Sequence, residues 1–82
     1  MLEKIDEPID VLASFGHPLV SPKFFRWRRK TYRVEKVNLV YREAEGQDKI
    51  YYFAVTDSAN YFKLAFFTRD LSWRLRELWS EG

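Results

Sequence analysis

Apolar residues recur at every second position along most of the chain, a spacing that predicts strands. Ile5, Ile9, Val11, Ala13 and Phe15 share one parity, interrupted by Glu7, as in a strand with one buried face. Pro8 makes that strand an edge or a late starter. Gly16-His17-Pro18 breaks the pattern, and Pro22 holds the next stretch extended until a second strand begins at Phe24-Phe25-Arg26-Trp27-Arg28. Tyr32 and Val34 then lie on one parity, and Val37, Leu39 and Tyr41 on the other. Keeping both sets in one core requires an extra residue near Glu35-Lys36, as a bulge or a sharp bend.

Residues 43–48 read as a turn, and residues 49–56 are apolar on both parities, which predicts a central strand covered on both faces. Asp57-Ser58-Ala59-Asn60 turns the chain into a further strand carrying Phe62, Leu64 and Phe66. In the tail, Leu71, Leu75, Leu78 and Trp79 fall on one helical stripe, with Thr68 as N-cap and Asp70 in the first turn, so a helix is expected over residues 69–79. The rival reading is a sixth strand with Leu71, Trp73 and Leu75 at period two, which accommodates Trp73 better. The expected fold is mainly β, of the α+β class. It is a single domain over residues 1–82, with a five-stranded antiparallel sheet, strongly bent or rolled into a small barrel, and one C-terminal helix.

Composition supports one self-sufficient core: 82 residues, of which 46% are hydrophobic and 18% aromatic. The absence of cysteine removes disulfides and thiolate metal sites and gives no reason to expect an oxidising compartment. The first eight residues are acidic and contain a proline, unlike an export signal, and no apolar run approaches the roughly 20 residues of a membrane-spanning helix. A cytoplasmic, non-membrane protein without metal or cofactor is expected.

The net charge of +2 hides an uneven distribution, because residues 22–36 carry seven Lys or Arg against one Glu. If residues 25–34 form a hairpin turning at Arg29-Lys30, Trp27 faces Tyr32 and Phe25 faces Val34 on the core side. Arg26 then opposes Arg33 on the other side, while Arg28, Arg29 and Lys30 crowd the tip. A bound anion would relieve that repulsion. Guanidinium groups match phosphates, and Phe24 offers a ring for stacking, so nucleic acid is the leading ligand class, through Phe24, Arg26, Arg28, Arg29, Lys30 and Arg33. Two other roles remain open. Charge on an exposed strand keeps sheet edges from pairing, and the acidic first segment, with Glu3, Asp6, Glu7 and Asp10, could neutralise the arginines internally.

Catalysis has little to draw on. The one histidine, His17, lies between Gly16 and Pro18 and reads as a turn residue, the carboxylate pairs Asp6/Asp10 and Glu43/Glu45 lie in charged, wet segments, and the glycines are isolated. A non-enzymatic binding module is expected. Tyr51, Tyr52, Tyr61 and Phe67 form a second aromatic group for which the expected helix is the natural cover. Trp73 or Trp79 would then be left to a protein partner or a second copy, making homodimerisation the alternative function.

The segment Pro22-x-x-Phe25-x-Trp27-Arg28-x-Lys30-x-Tyr32-x-Val34 resembles a hairpin of small bacterial proteins grouped as domains of unknown function, whose turn tends to read Trp-Arg-Gly-Arg. The resemblance implies a bacterial, cytoplasmic β-domain and no particular activity. Arg29 stands where glycine would be expected. A two-residue primed turn needs positive φ, which arginine disfavours, so a longer or differently shaped turn is expected here.

Overall fold

The computed structural model describes residues 1–16 and 20–80. They form seven strands: β1 (Leu2–Phe15), β2 (Val20–Trp27), β3 (Lys30–Arg33), β4 (Lys36–Glu45), β5 (Asp48–Thr56), β6 (Asn60–Phe67) and β7 (Ser72–Ser80). All neighbours are antiparallel, in the order β3-β2-β1-β7-β6-β5-β4. The expected α+β class with five strands is thus corrected to all-β with seven, and the described residues contain no helix, let alone one long and apolar enough to cross a membrane. His17, read as a turn residue, lies outside the described residues.

The tail is the largest correction. Residues expected to be helical form β7, with Trp73 opposite Phe66 and Leu75 opposite Leu64, all facing the core. The register then shifts: Leu64 pairs with Leu75 but Lys63 pairs with Glu77, so Arg76 is an extra residue and Leu78 returns to the inner side opposite Phe62. One bulge turns a period of two into inward residues at 73, 75 and 78, a spacing that imitates a helical stripe. Leu71, placed on that stripe, is an exposed turn residue with φ 61°.

The sheet is rolled. β2 and β6 stand three strands apart in the ladder, about 14 Å if the sheet were flat. Yet Phe25 of β2 meets Phe62 of β6 with ring centroids 4.9 Å apart, and Tyr32 of β3 reaches the same ring at 5.3 Å. The connection between β3 and β4 demands the same curvature. These strands are the two ends of the ladder, about 29 Å apart in a flat sheet, whereas Val34 and Glu35 alone can bridge only about 11 Å. Val34 N–H donates to Lys23 O on β2, and the next residue, Glu35, donates to Thr56 O on β5.

β1 is the corner of the roll. Its residues Leu2 to Ile9 pair with β7, and Asp10 to Phe15 pair with β2. The interior holds Ile9, Phe25, Trp27, Phe53, Val55, Phe62, Leu64, Phe66, Trp73 and Leu75. The expected phase change after Val34 occurs, and a second follows at Asn38, which is extra between Val37 and Leu39. Val34, Val37 and Val40 therefore pack on the core, while Leu39 is 55% exposed on the outer side and Tyr41 lies half-buried there.

Among the described residues no helix covers the outer face of β5. Tyr52 is buried instead by the cations around it, with Lys63 Nζ 4.8 Å and the Arg76 guanidinium 5.9 Å from its ring and Tyr41 stacked at 5.0 Å. Tyr51 faces inward, Phe67 packs beside Ile50 and Tyr52, and Tyr61 is exposed.

Candidate functional site

The basic hairpin turns one residue earlier than its charge pattern suggests. Trp27 pairs with Lys30, Arg26 with Thr31, Phe25 with Tyr32 and Phe24 with Arg33, which leaves Arg28-Arg29 as a two-residue loop. The register with Arg26 opposite Arg33 is therefore corrected, and the directly opposed like charges disappear. The tight primed geometry survives the missing glycine, since Arg28 and Arg29 adopt φ of 50° and 66°. Left-handed backbone at a residue that carries a Cβ costs of order 1 kcal/mol or more, so both arginines are held against a local preference.

Arg28 is held by three contacts. Its Nη2 and Nε meet the Glu7 carboxylate at 2.7 and 3.2 Å, and its guanidinium lies 4.6 Å from the Trp27 ring centroid. Trp27 Nε1 donates to the same carboxylate at 2.8 Å. These hydrogen bonds, Arg28's first and Trp27's second, hold the Glu7 pKa below its ordinary range. Glu7, the polar break in the alternation of β1, is therefore the anchor of the hairpin tip. Asp6, the other acid adjacent, faces outward to Arg74 and Arg76 instead.

The remaining residues of the basic group divide by face. Lys30 turns to the core side, its Nζ 5.1 Å from the Tyr32 ring centroid. Phe24, Arg26 and Arg33 share the outer side, where they belong to two cross-strand rows that run over β1, β2 and β3. One row is Leu12, Phe24 and Arg33, and the other is Asp10, Arg26 and Thr31. Phe24 is 39% exposed and Leu12 is 66% exposed. Lys23 is the extra residue of a bulge opposite Leu12 and Ala13, and it is exposed beside them.

Two shallow clefts open on this surface. One, of about 310 Å³, has an apolar floor of Leu12, Phe24 and Phe25 with Asp10, Arg26 and Thr31 at its side. The other, also about 310 Å³, is lined by Pro8, Ile9, Asp10, Arg26, Arg28 and Arg29. Asp10 and Arg26 line both, so the clefts adjoin. Among the described residues neither of these two side chains has an ion-pair or hydrogen-bond partner. The sequence singles out the arginines and Phe24 but misses Asp10, Leu12 and Thr31, because only the register of β1 against β2 and β3 brings them alongside. A flat ring beside guanidinium donors can stack a planar ligand and hold its anionic group.

A larger cleft, of about 500 Å³, lies between the β4–β5 and β6–β7 turns, with Lys49, Arg69 and Arg74 balanced by Glu45, Asp48 and Asp70. Its charges cancel, and it carries no aromatic platform beyond the half-buried Phe67. Among the described residues no group of three or more His, Cys, Asp or Glu side chains could hold a metal ion.

The tryptophans expected at a protein interface part company. Trp73 is 7% exposed and packs on Phe66 and Phe53 with centroids 4.7 and 5.4 Å away, so it is a core residue. Trp79 is 47% exposed on the outer face, between Leu2 of β1 and Tyr61 of β6 in register.

Comparisons of the chain with protein-family models, with curated proteins and with solved structures each return no match.

Proposed function

We propose that the outer face of the β1–β2–β3 ribbon binds nucleic acid without catalysing a reaction. The observation that carries this reading is the adjoining pair of clefts, one floored by Phe24 and Leu12 and one lined by Arg26, Arg28 and Arg29. A base lies on the first while a phosphate reaches the second, and Arg33 and Lys23 extend the positive surface along the strand path. Arg28 contributes less than its neighbours, since Glu7 already neutralises it. A cytoplasmic setting accords with this role and with a chain that has no cysteine.

The test is fluorescence-polarisation titration of labelled oligonucleotides at low and moderate salt. Contacts from Arg26, Arg29 and Arg33 predict a slope of log K against log salt of about −2, at roughly −0.7 per phosphate on a single strand. Arg26→Glu combined with Arg29→Glu is expected to abolish binding with the fold intact. Undiminished binding by that variant would remove the site from this surface.

A second reading is self-association, favoured by the row Leu2, Trp79 and Tyr61. These three large apolar side chains are 46%, 47% and 56% exposed on adjacent strands. The neighbouring row is Lys4, Glu77 and Lys63, in which Lys63 and Glu77 pair at 3.8 Å, so a single uncompensated charge flanks the apolar row. A second copy meeting it about a two-fold axis would bury the same residues on both sides.

A further inference from the structure

Resting on the nucleic-acid reading, we infer that the Phe24 cleft takes an unpaired guanine, with Asp10 as the residue that selects it. Duplex is excluded by the platform itself. Phe24 projects from a sheet surface, and a base can lie on its ring only when it has left its own stack. The ligand is therefore single-stranded.

The selection comes from the neighbouring row. Leu12, Phe24 and Arg33 are separated from Asp10, Arg26 and Thr31 by two residues along the strands, roughly 7 Å, so a base lying on Phe24 directs its edge at the second row. Asp10 is out of place in a site built only for phosphate, because a carboxylate repels an anion. It is not consumed by the protein either, having no ion-pair or hydrogen-bond partner among the described residues although Arg26 stands opposite it in the ladder. A carboxylate accepts and cannot donate, while Arg26 beside it donates and cannot accept.

A base edge that satisfies both must offer donors to Asp10 and an acceptor to Arg26. Guanine does so with two adjacent donors, N1–H and N2–H, beside the O6 acceptor. The two donors reach both carboxylate oxygens and O6 meets the guanidinium. Adenine, uracil and cytosine each present at most one N–H position on that edge and leave one carboxylate oxygen facing an acceptor or nothing. Thr31, at the far end of the row, can donate or accept and does not discriminate.

The experiment uses the full chain and short labelled oligouridylates carrying one central guanosine, adenosine or inosine, titrated at low salt. The guanosine oligomer is expected to bind about tenfold more tightly than the adenosine one, the scale of one added charge-assisted hydrogen bond. Inosine, which keeps N1–H and lacks the N2 amino group, should fall between them. In Asp10→Asn the guanosine preference should vanish, while affinity for plain oligouridylate holds or rises because a negative charge has gone. A thermal melt monitors the fold of that variant, whose altered side chain is solvent-exposed. Equal binding of the guanosine and adenosine oligomers by the wild type, or a preference that survives Asp10→Asn, overturns the inference while leaving phosphate-driven binding in place. Failure to bind any oligomer at low salt overturns both.

Discussion

Glu7 accepts a hydrogen bond from the indole nitrogen of Trp27 at 2.8 Å while the same carboxylate receives Arg28, so one side chain of β1 ties down both the buried flank and the exposed tip of the hairpin. Glu7→Gln keeps the size and one acceptor but removes the charge. We expect a lower melting temperature, a shifted tryptophan emission maximum and weaker ordering of Arg28. Unchanged emission and melting would show that the hairpin is positioned without this carboxylate.

Acid should act through the same residue and its neighbour. The Asp6 pKa is lowered by hydrogen bonds from Arg74 and then Arg76, and the Glu7 pKa by those from Arg28 and then Trp27. A carboxylate with a depressed folded-state pKa contributes stability that is present above its unfolded pKa and lost as pH falls through the folded value. Stability should thus hold above about pH 5 and decline progressively below about pH 4. Melts recorded across that range check it, and Glu7→Gln should flatten part of the decline. Stability that rises on acidification would contradict the sign.

The turn offers a gain. Arg29 has φ 66° and no ion-pair partner among the described residues, so Arg29→Gly relieves the left-handed strain at no contact cost inside the fold. Stabilisation of about 0.5–1 kcal/mol is expected in urea unfolding. Arg28→Gly, which also breaks the Glu7 pair, should gain less or lose. The order of these two variants is the measurement that matters.

In the interior, Leu75 is 0% exposed and lies opposite Leu64, also 0% exposed. Leu75→Ala should cost about 2–5 kcal/mol in chemical unfolding. A helix packed by the same leucine would lose a comparable amount. The distinguishing substitution is therefore Trp73→Lys: a helix with Leu75 and Leu78 inward would turn that residue away from the core, whereas β7 buries it opposite Phe66, so severe destabilisation in chemical unfolding is expected.

Trp79→Ser should leave stability within about 1 kcal/mol, since the side chain is half-exposed. Sedimentation equilibrium of wild type and variant reads its other consequence. A dimer that dissociates on substitution establishes the Leu2–Trp79–Tyr61 row as an interface, and a monomer in both cases removes that reading.

Strands with uninterrupted alternation were legible from composition and parity alone: β5 and β6 occupy the residues their patterns indicate, and Ile5, Ile9, Val11 and Ala13 of β1 face inward, while Phe15 at the strand's end is 66% exposed. What misled was irregularity. A bulge at Arg76 shifted the inward phase and imitated a helix, and two phase changes within a few residues put Val34, Val37 and Val40 inside where one change would have put Leu39 and Tyr41. The hairpin register was missed because two arginines at positive φ violate the rule by which such turns are recognised. The arginines and Phe24 could be nominated from sequence. Asp10 could not be placed beside them, since a contact across a ladder depends on a register that no local pattern encodes.

The sharing of β1 between two ladders has a consequence for how the chain comes into being. Its second half finds β2 almost at once as the chain is made, but its first half, Leu2 to Ile9, pairs with β7, the furthest along the chain of the seven described strands. During synthesis one flank of β1 therefore waits, with its backbone donors and acceptors unpaired within the fold, until β7 has emerged. The ribbon of β1, β2 and β3 and the meander of β4, β5 and β6 can form in turn. The arrival of β7 then joins them in a single late step, which places folding among the slow, long-range topologies and makes the waiting edge the point most open to pairing with another chain.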